Sequence, residues 1–466
     1  MNSVETSERN ITVSTDIKCA DESSPISSPN WLSVLVFWFR KVSFSVLDQG
    51  LISGSNFLIG VLLARWLEPA QLGAYTLAFS AFLLISVVYQ ALVLEPQSVF
   101  ATSTYRHEPR QYMGSLLRLH GILASALFLA FAAAALFTHG RYPGASLPGA
   151  LAGIVLATPW ILLLWLSRRM CYAKQIPHVA TIGAFVYSVI MLCGLLALLR
   201  LRLLTPATVF TVMGLASLVT SLVLLMVLRP SFLAGSSATR LREVGREHWG
   251  YGRWALGAYV MSWVPGNLYY MLLGRLSGMA DVGALRALLN LALPVAQTYA
   301  ALSMLFLPFL SRVRSEKGSS AMKGPAIKIT VLFTGMAVAY WTILITFSRP
   351  IVQWLYAGRY VSQSHWMPFV AIASIFWCAA YGPMVILRVF QTPASIFWIY
   401  TMCAAISVLI GAPITKFYGL AGAMVGGVLS SVTALLIGVV LVRRRLGLEK
   451  APPVARSANL NLTARL

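Results

Sequence analysis

From residue 44 onward the chain alternates long apolar runs with short polar ones, and this pattern predicts membrane-spanning helices. Phe44–Leu67, Ala74–Leu94, Leu116–Phe137, Leu147–Leu166, Val179–Leu199 and Thr208–Leu228 precede a basic linker at residues 229–253. Trp254–Leu276, Ala284–Phe309, Ile329–Phe347, Pro368–Val389, Ile396–Ile414 and Leu420–Val442 follow it. Each run is close to the roughly 20 residues that cross about 30 Å of hydrocarbon. The expectation is an all-α polytopic membrane protein with about twelve transmembrane helices, an N-terminal bundle at 44–228 and a C-terminal one at 254–442. Residues 1–30 are polar and lack the basic-then-apolar order of a signal peptide, so they read as a disordered tail. Trp31–Phe39 with Arg40 and Lys41 is too short to cross, so 31–43 reads as an interfacial helix, and 443–466 as a basic tail.

A weak repeat links the two halves. Setting Val61-Leu-Leu-Ala-Arg65 over Met271-Leu-Leu-Gly-Arg275 also places Gly73-Ala74 over Gly283-Ala284. Two matches in register suggest internal duplication. Six spans is an even number, so both repeats enter the membrane the same way round. The bundles should then be related by a pseudo-two-fold axis along the membrane normal, with a cleft between them.

Polar residues inside the spans mark that cleft. On span one Gln49, Ser53, Asn56 and Gly60 fall within about 60° on a helical wheel; on span eight Arg286, Asn290 and Gln297 fall within about 40°. Lipid cannot satisfy such stripes, so they turn inward. In span seven, Asn267 and Tyr270 face the same cleft if Tyr259, Gly266, Tyr270 and Gly274 form the inner face. Asp48 and Glu95 are the carboxylates at the inner ends of spans, which makes them candidates for coupling or gating. A negative charge at a helix C-terminus opposes the macrodipole, so Glu95 is expected to be paired with an arginine or protonated. The spacing of Gly419, Gly422, Gly426 and Gly427 predicts close helix packing.

Composition changes the picture in two ways. With 58% hydrophobic and 11% charged residues, the chain departs from the soluble norm of about 45–50% apolar and about 25% charged. The net charge of +22 does not imply nucleic acid, since no soluble domain of useful size remains. If the N-terminus is cytoplasmic, 27 of the 36 Lys and Arg residues lie in inner segments, as the positive-inside rule requires, and both termini are inside. Arg168, Arg169 and Arg388 read as such anchors. The five cysteines (Cys19, Cys171, Cys193, Cys378 and Cys403) are scattered and suggest neither a disulfide framework nor a metal site. All but Cys19 read as packing residues, and no cofactor is expected.

The segments Asp48-Gln-Gly-Leu-Ile-Ser-Gly-Ser-Asn-Phe57, Leu63-Ala-Arg-Trp-Leu67 and Gly73-Ala-Tyr75 resemble the opening of bacterial polysaccharide flippases. These are the O-antigen and exopolysaccharide translocases of the multidrug/oligosaccharidyl-lipid/polysaccharide exporter superfamily. Pro350-Ile-Val-Gln-Trp-Leu-Tyr-Ala-Gly-Arg-Tyr360 and Tyr418-Gly-Leu-Ala-Gly-Ala423 are similar to further segments of that family, so the likeness runs from about Phe44 to Val442. The resemblance implies two six-helix bundles around a cationic cavity that moves a lipid-linked oligosaccharide outward across the bacterial inner membrane by alternating access. It further implies membrane lipids and a coupling ion (H+ or Na+) as partners, and work alongside polysaccharide polymerase and export machinery. A multidrug exporter of the same superfamily is the alternative, but its cationic substrates favour carboxylates in the cleft. A membrane polymerase or ligase is a weaker one: the longest outer connection, Ser348 to Met367, has one histidine and no carboxylate for acid–base chemistry.

Overall fold

The computed structural model describes residues 31–141, 146–230, 238–390 and 392–448, all in helices and short connections. The expected tails at 1–30, with Cys19, and beyond residue 448 lie outside the described residues. The N-terminal half comprises α1 (Trp31–Trp66), α2 (Pro69–Tyr89), α3 (Glu95–Phe100), α4 (Pro109–Arg141), α5 (Ser146–Ala173), α6 (Pro177–Arg200) and α7 (Pro206–Leu228). The C-terminal half comprises α8 (Ala238–Leu276), α9 (Met279–Asn290), α10 (Leu293–Lys317), α11 (Lys323–Thr346), α12 (Ser348–Tyr356), α13 (Met367–Val389), α14 (Pro393–Ile406) and α15 (Ala412–Leu448). Pro69, Pro109, Pro177, Pro206 and Pro393 each open a helix, where the missing N–H has no intrahelical partner to lose.

Nine helices among the described residues are long and apolar enough to cross a membrane, and the bent pair α9–α10 makes a tenth. The second half of α8, less apolar than these, occupies the place of the expected seventh span. The last apolar stretch, Ala394–Leu446, divides at Gly419, whose φ of 54° and ψ of −127° interrupt the helix. Twelve spans result, in two six-helix bundles.

The repeat is visible in the packing. In the first half α5 packs on α7, α4 and α2, α1 on α6, and α6 on α7. At the equivalent places in the second half α13 packs on α15, α11 and α10, α8 on α14, and α14 on α15.

Four elements differ from the sequence expectation. First, α1 runs unbroken from Trp31, so the expected interfacial segment and span one are a single helix. Second, most of the expected linker, from Ala238 on, is the start of α8 and packs on residues 90–94, α3 and α4 of the other bundle. His248 accepts from Tyr112 Oη and donates to the Leu92 carbonyl, both at 2.8 Å, and Tyr105 Oη donates to Glu247 at 2.8 Å. Third, span two extends over Pro69–Phe100, through a π-helical turn at Gln90–Leu94. Fourth, span eight bends by 46° between α9 and α10. Carbonyls freed at that bend are taken up by tyrosines: Tyr356 Oη donates to Ala287 at 2.7 Å and Tyr340 Oη to Leu291 at 2.8 Å. A break inside the hydrocarbon is tolerated only with such partners.

Candidate functional site

The two bundles meet most tightly at the N-terminal ends of α2 and α9. A Cβ on Gly73 would lie 1.8 Å from the Met279 carbonyl oxygen, and one on Gly283 2.2 Å from that of Pro69. Pro69 and Met279 each stand four residues before their glycine and begin their helices, so the crossing is symmetric and the pseudo-two-fold passes between the repeated glycines. Two arginines pin the same end: Arg65 Nη1 donates to the Trp354 carbonyl at 3.1 Å and Arg359 Nη1 to that of Leu67 at 2.6 Å.

Deeper in, the two polar stripes face one another. Asn290 is buried, and its Nδ2 donates to the Gly60 carbonyl at 3.0 Å. Gln297 Oε1 accepts from Ser53 Oγ at 2.9 Å and from Gln49 Nε2 at 3.4 Å. Arg286, half-buried, lies near enough to Tyr75, Tyr270 and Tyr356 to act on their hydroxyls electrostatically. The structure thus brings Gln49, Ser53, Arg286, Asn290 and Gln297 to one seam. It does not bring Asn56 or Asn267 into a bond there. Asn56 is exposed, and Asn267 donates to the Trp263 carbonyl of its own helix at 3.1 Å. Tyr270 is buried at the wall of a chamber inside the C-terminal bundle.

At the opposite end of the first bundle a cavity of about 650 Å³ opens between α1, the π-helical turn at Gln90–Leu94, α3 and α5. Its lining includes Asp48, Gln49, Gln90, Arg168, Arg169 and Tyr172. Asp48 is completely buried; Oδ2 accepts from Arg168 Nη2 at 2.6 Å and from the Tyr172 hydroxyl. Asp48 Oδ1 and Arg168 Nε have no partner among the described residues, so the pair retains bonding capacity. The lining charges are two guanidinium groups and one carboxylate, a net positive site. Sequence reasoning gave Arg168 and Arg169 a topological role only. Their place opposite Asp48 was not legible, because the partners are 120 residues apart and the positive-inside excess already accounts for inner arginines.

Glu95 differs from expectation. It is not at a helix C-terminus, since the helix continues to Phe100. It bonds across to α8, and its partner is a phenol rather than a guanidinium: Tyr259 Oη donates to Oε2 at 2.9 Å.

Residues 174–365 match the family model of a polysaccharide biosynthesis protein. No curated protein matches the chain. Among solved structures, an inward-facing multidrug resistance MATE family transporter of the MOP superfamily superposes with a TM-score of 0.70 at 12% identity, covering 86% of this chain and 94% of that one. An outward-facing MATE family transporter gives 0.61 at 13% identity, over 87% and 95%. The lipid II flippase MurJ in an inward closed conformation gives 0.63 at 12%, over 89% and 87%. The family match spans under half of the chain, and the superpositions show that the chain shares the fold of these solved transporters.

Proposed function

We propose that this protein moves a polyprenyl-pyrophosphate-linked oligosaccharide from the inner to the outer leaflet of the bacterial inner membrane by alternating access, with both termini cytoplasmic. The observation that carries this reading is the cavity at the inner end of the first bundle, lined by Arg168 and Arg169 against the single carboxylate of Asp48. A pyrophosphate head group must be taken across roughly 30 Å of hydrocarbon, where an unpaired anion is prohibitively costly. Guanidinium groups meet phosphate oxygens with two parallel donors each. The seal at Gly73 and Gly283 on the outer side, with the polar cavity on the inner side, supports a state loaded from the cytoplasm. From there the stripe of Gln49, Ser53, Gln297, Asn290 and Arg286 supplies donors toward the outer end. Asp48, already bonded to Arg168, is the group placed to exchange partners when an anion or a coupling ion arrives.

The alternative, export of cationic drugs, is disfavoured by the same cavity, because its net charge repels the cargo. The test is complementation of a flippase-deficient strain, scored by surface polysaccharide with membrane protein level as control. Wild type restores export and the Arg168→Ala/Arg169→Ala double variant does not. Full export by the double variant, or drug resistance without polysaccharide rescue, refutes the proposal.

A further inference from the structure

The π-helical turn at Gln90–Leu94 stands between the Arg168/Arg169 cavity and α8 of the other bundle. It is one residue wider than a regular turn: the Glu95 N–H donates to the Gln90 carbonyl, five residues back. Such single turns are rare inside α-helices and concentrate at functional sites. On one side, Gln90 and Leu94 line the cavity together with Ser98 of α3.

On the other side α8 holds the turn with three residues. His248 Nδ1 donates to the Leu92 carbonyl at 2.8 Å. Gly252 lies flush against the backbone, so that a Cβ there would stand 2.4 Å from the Ala91 carbonyl oxygen and 3.0 Å from Leu92 Cα. Tyr259 fixes the residue that follows the turn, through its bond to Glu95 at 2.9 Å. The three stand at i, i+4 and i+11, within about 40° of one another on a helical wheel, so one stripe of α8 meets the turn. Arg169, in the cavity lining, is also near enough to Tyr259 for its charge to act on that hydroxyl. The start of the turn is tied within the first bundle, where Tyr89 Oη and His120 Nδ1 are hydrogen-bonded at 2.8 Å.

A helix advances about 100° per residue. Returning this turn to regular geometry therefore rotates the helix after it by about 100° relative to the helix before it, and Gln90 and Leu94 cannot both keep their places in the cavity wall. We propose that His248, Gly252 and Tyr259 are positioning residues for the anion cavity: α8 of the second bundle holds the π-turn in the register that builds the wall, and frees it when the bundles part at this end. This rests on the flippase reading above. The cavity binds its pyrophosphate tightly only while α8 is docked, and by linkage a bound pyrophosphate favours the docked α8 by the same factor. Packing alone would behave differently, since loss of a packing contact lowers stability and leaves the affinity of the folded protein unchanged.

The experiment uses the full-length protein in lipid nanodiscs, at a temperature where each variant stays folded. The probe is polyprenyl pyrophosphate, with polyprenol as the control lipid. Gly252→Ala and His248→Phe should each weaken the probe by about fivefold or more. Gly250→Ala, whose added carbon meets nothing within 4 Å, should bind it as wild type does. Spin labels at Thr104→Cys and Arg246→Cys, both exposed positions, in a background without the native cysteines, report the distance between the first bundle and α8. Gly252→Ala should add a longer-distance population, and saturating probe, but not polyprenol, should draw it back to the wild-type distance. Wild-type affinity in both Gly252→Ala and His248→Phe overturns the coupling, and so does a distance distribution in Gly252→Ala that the probe leaves unmoved. Either result leaves the flippase reading intact as long as wild type prefers the probe to polyprenol. Failure of wild type to distinguish the two lipids overturns the flippase reading and the coupling with it.

Discussion

Gly73→Ala tests whether the crossing of α2 and α9 is the outer seal. The added Cβ would stand 1.8 Å from the Met279 carbonyl oxygen, and ordinary contact begins near 3.4 Å, so the helices must part by about 1.6 Å or bend. Both atoms belong to helix backbones at the tightest point between bundles and neither can rotate away, so the penalty lies at the upper end of the about 1–3 kcal/mol typical of overpacking. Only the outward-closed state pays it. A bias of about 1–3 kcal/mol shifts a two-state equilibrium about 5- to 150-fold. The reporter is Thr76→Cys, buried at 3% exposure and three residues inside the seal, in a background without the five native cysteines. Labelling by a membrane-impermeant maleimide from outside should speed up by that factor in Gly73→Ala. Gly283→Ala should act likewise, and the double variant less than additively because both press on one crossing. Gly54→Ala, with nothing within 4 Å of its added carbon, is the control. Labelling at the wild-type rate in both seam variants, with normal insertion, would refute the argument.

Three further outcomes follow from the same geometry. Arg286→Ala should abolish polysaccharide export while the protein still inserts, and Arg286→Lys should rescue only part of it, since a point charge lacks the two-pronged contact; complementation scored against membrane protein level checks this. Arg168→Ala strands a fully buried Asp48 carboxylate and should destabilise the protein by about 3 kcal/mol, the low end for a broken buried pair, because Arg168 keeps 18% exposure; thermal unfolding in detergent should show the loss, and Asp48→Asn added to it should recover part. His248, in the N-terminal part of α8, is held by burial below the ordinary histidine value. The unfolded chain therefore takes up a proton first, so its contribution to stability is complete above about pH 6.5 and declines as pH falls below that. Thermal unfolding of wild type should fall more between about pH 7.5 and 5.5 than that of His248→Phe, and parallel curves would contradict this.

Much of the seam was readable in one dimension. Helical periodicity put Gln49 and Ser53 on one face and Arg286, Asn290 and Gln297 on another, and lipid forces such faces inward, so their meeting required only two bundles. The repeat similarly foretold that Gly73 and Gly283 are equivalent. Asn56 and Asn267 were misplaced by the same reasoning, since a wheel gives direction around one helix but not the position of its neighbour. Arg168 and Arg169 were hidden for another reason. A cation at an inner helix end is accounted for by topology alone, and nothing local distinguishes an anchor from a cavity wall.

Local chemistry along the chain therefore determined the helical class, the twelve spans and the duplication, because hydrocarbon demands that every span satisfy its own backbone. The residues packed against one another were decided in three dimensions. The Tyr259 bond to Glu95 and the Asp48–Arg168 pair join groups 164 and 120 residues apart. A span can satisfy its backbone in one dimension, but a buried carboxylate finds its partner only once the helices that carry both are side by side.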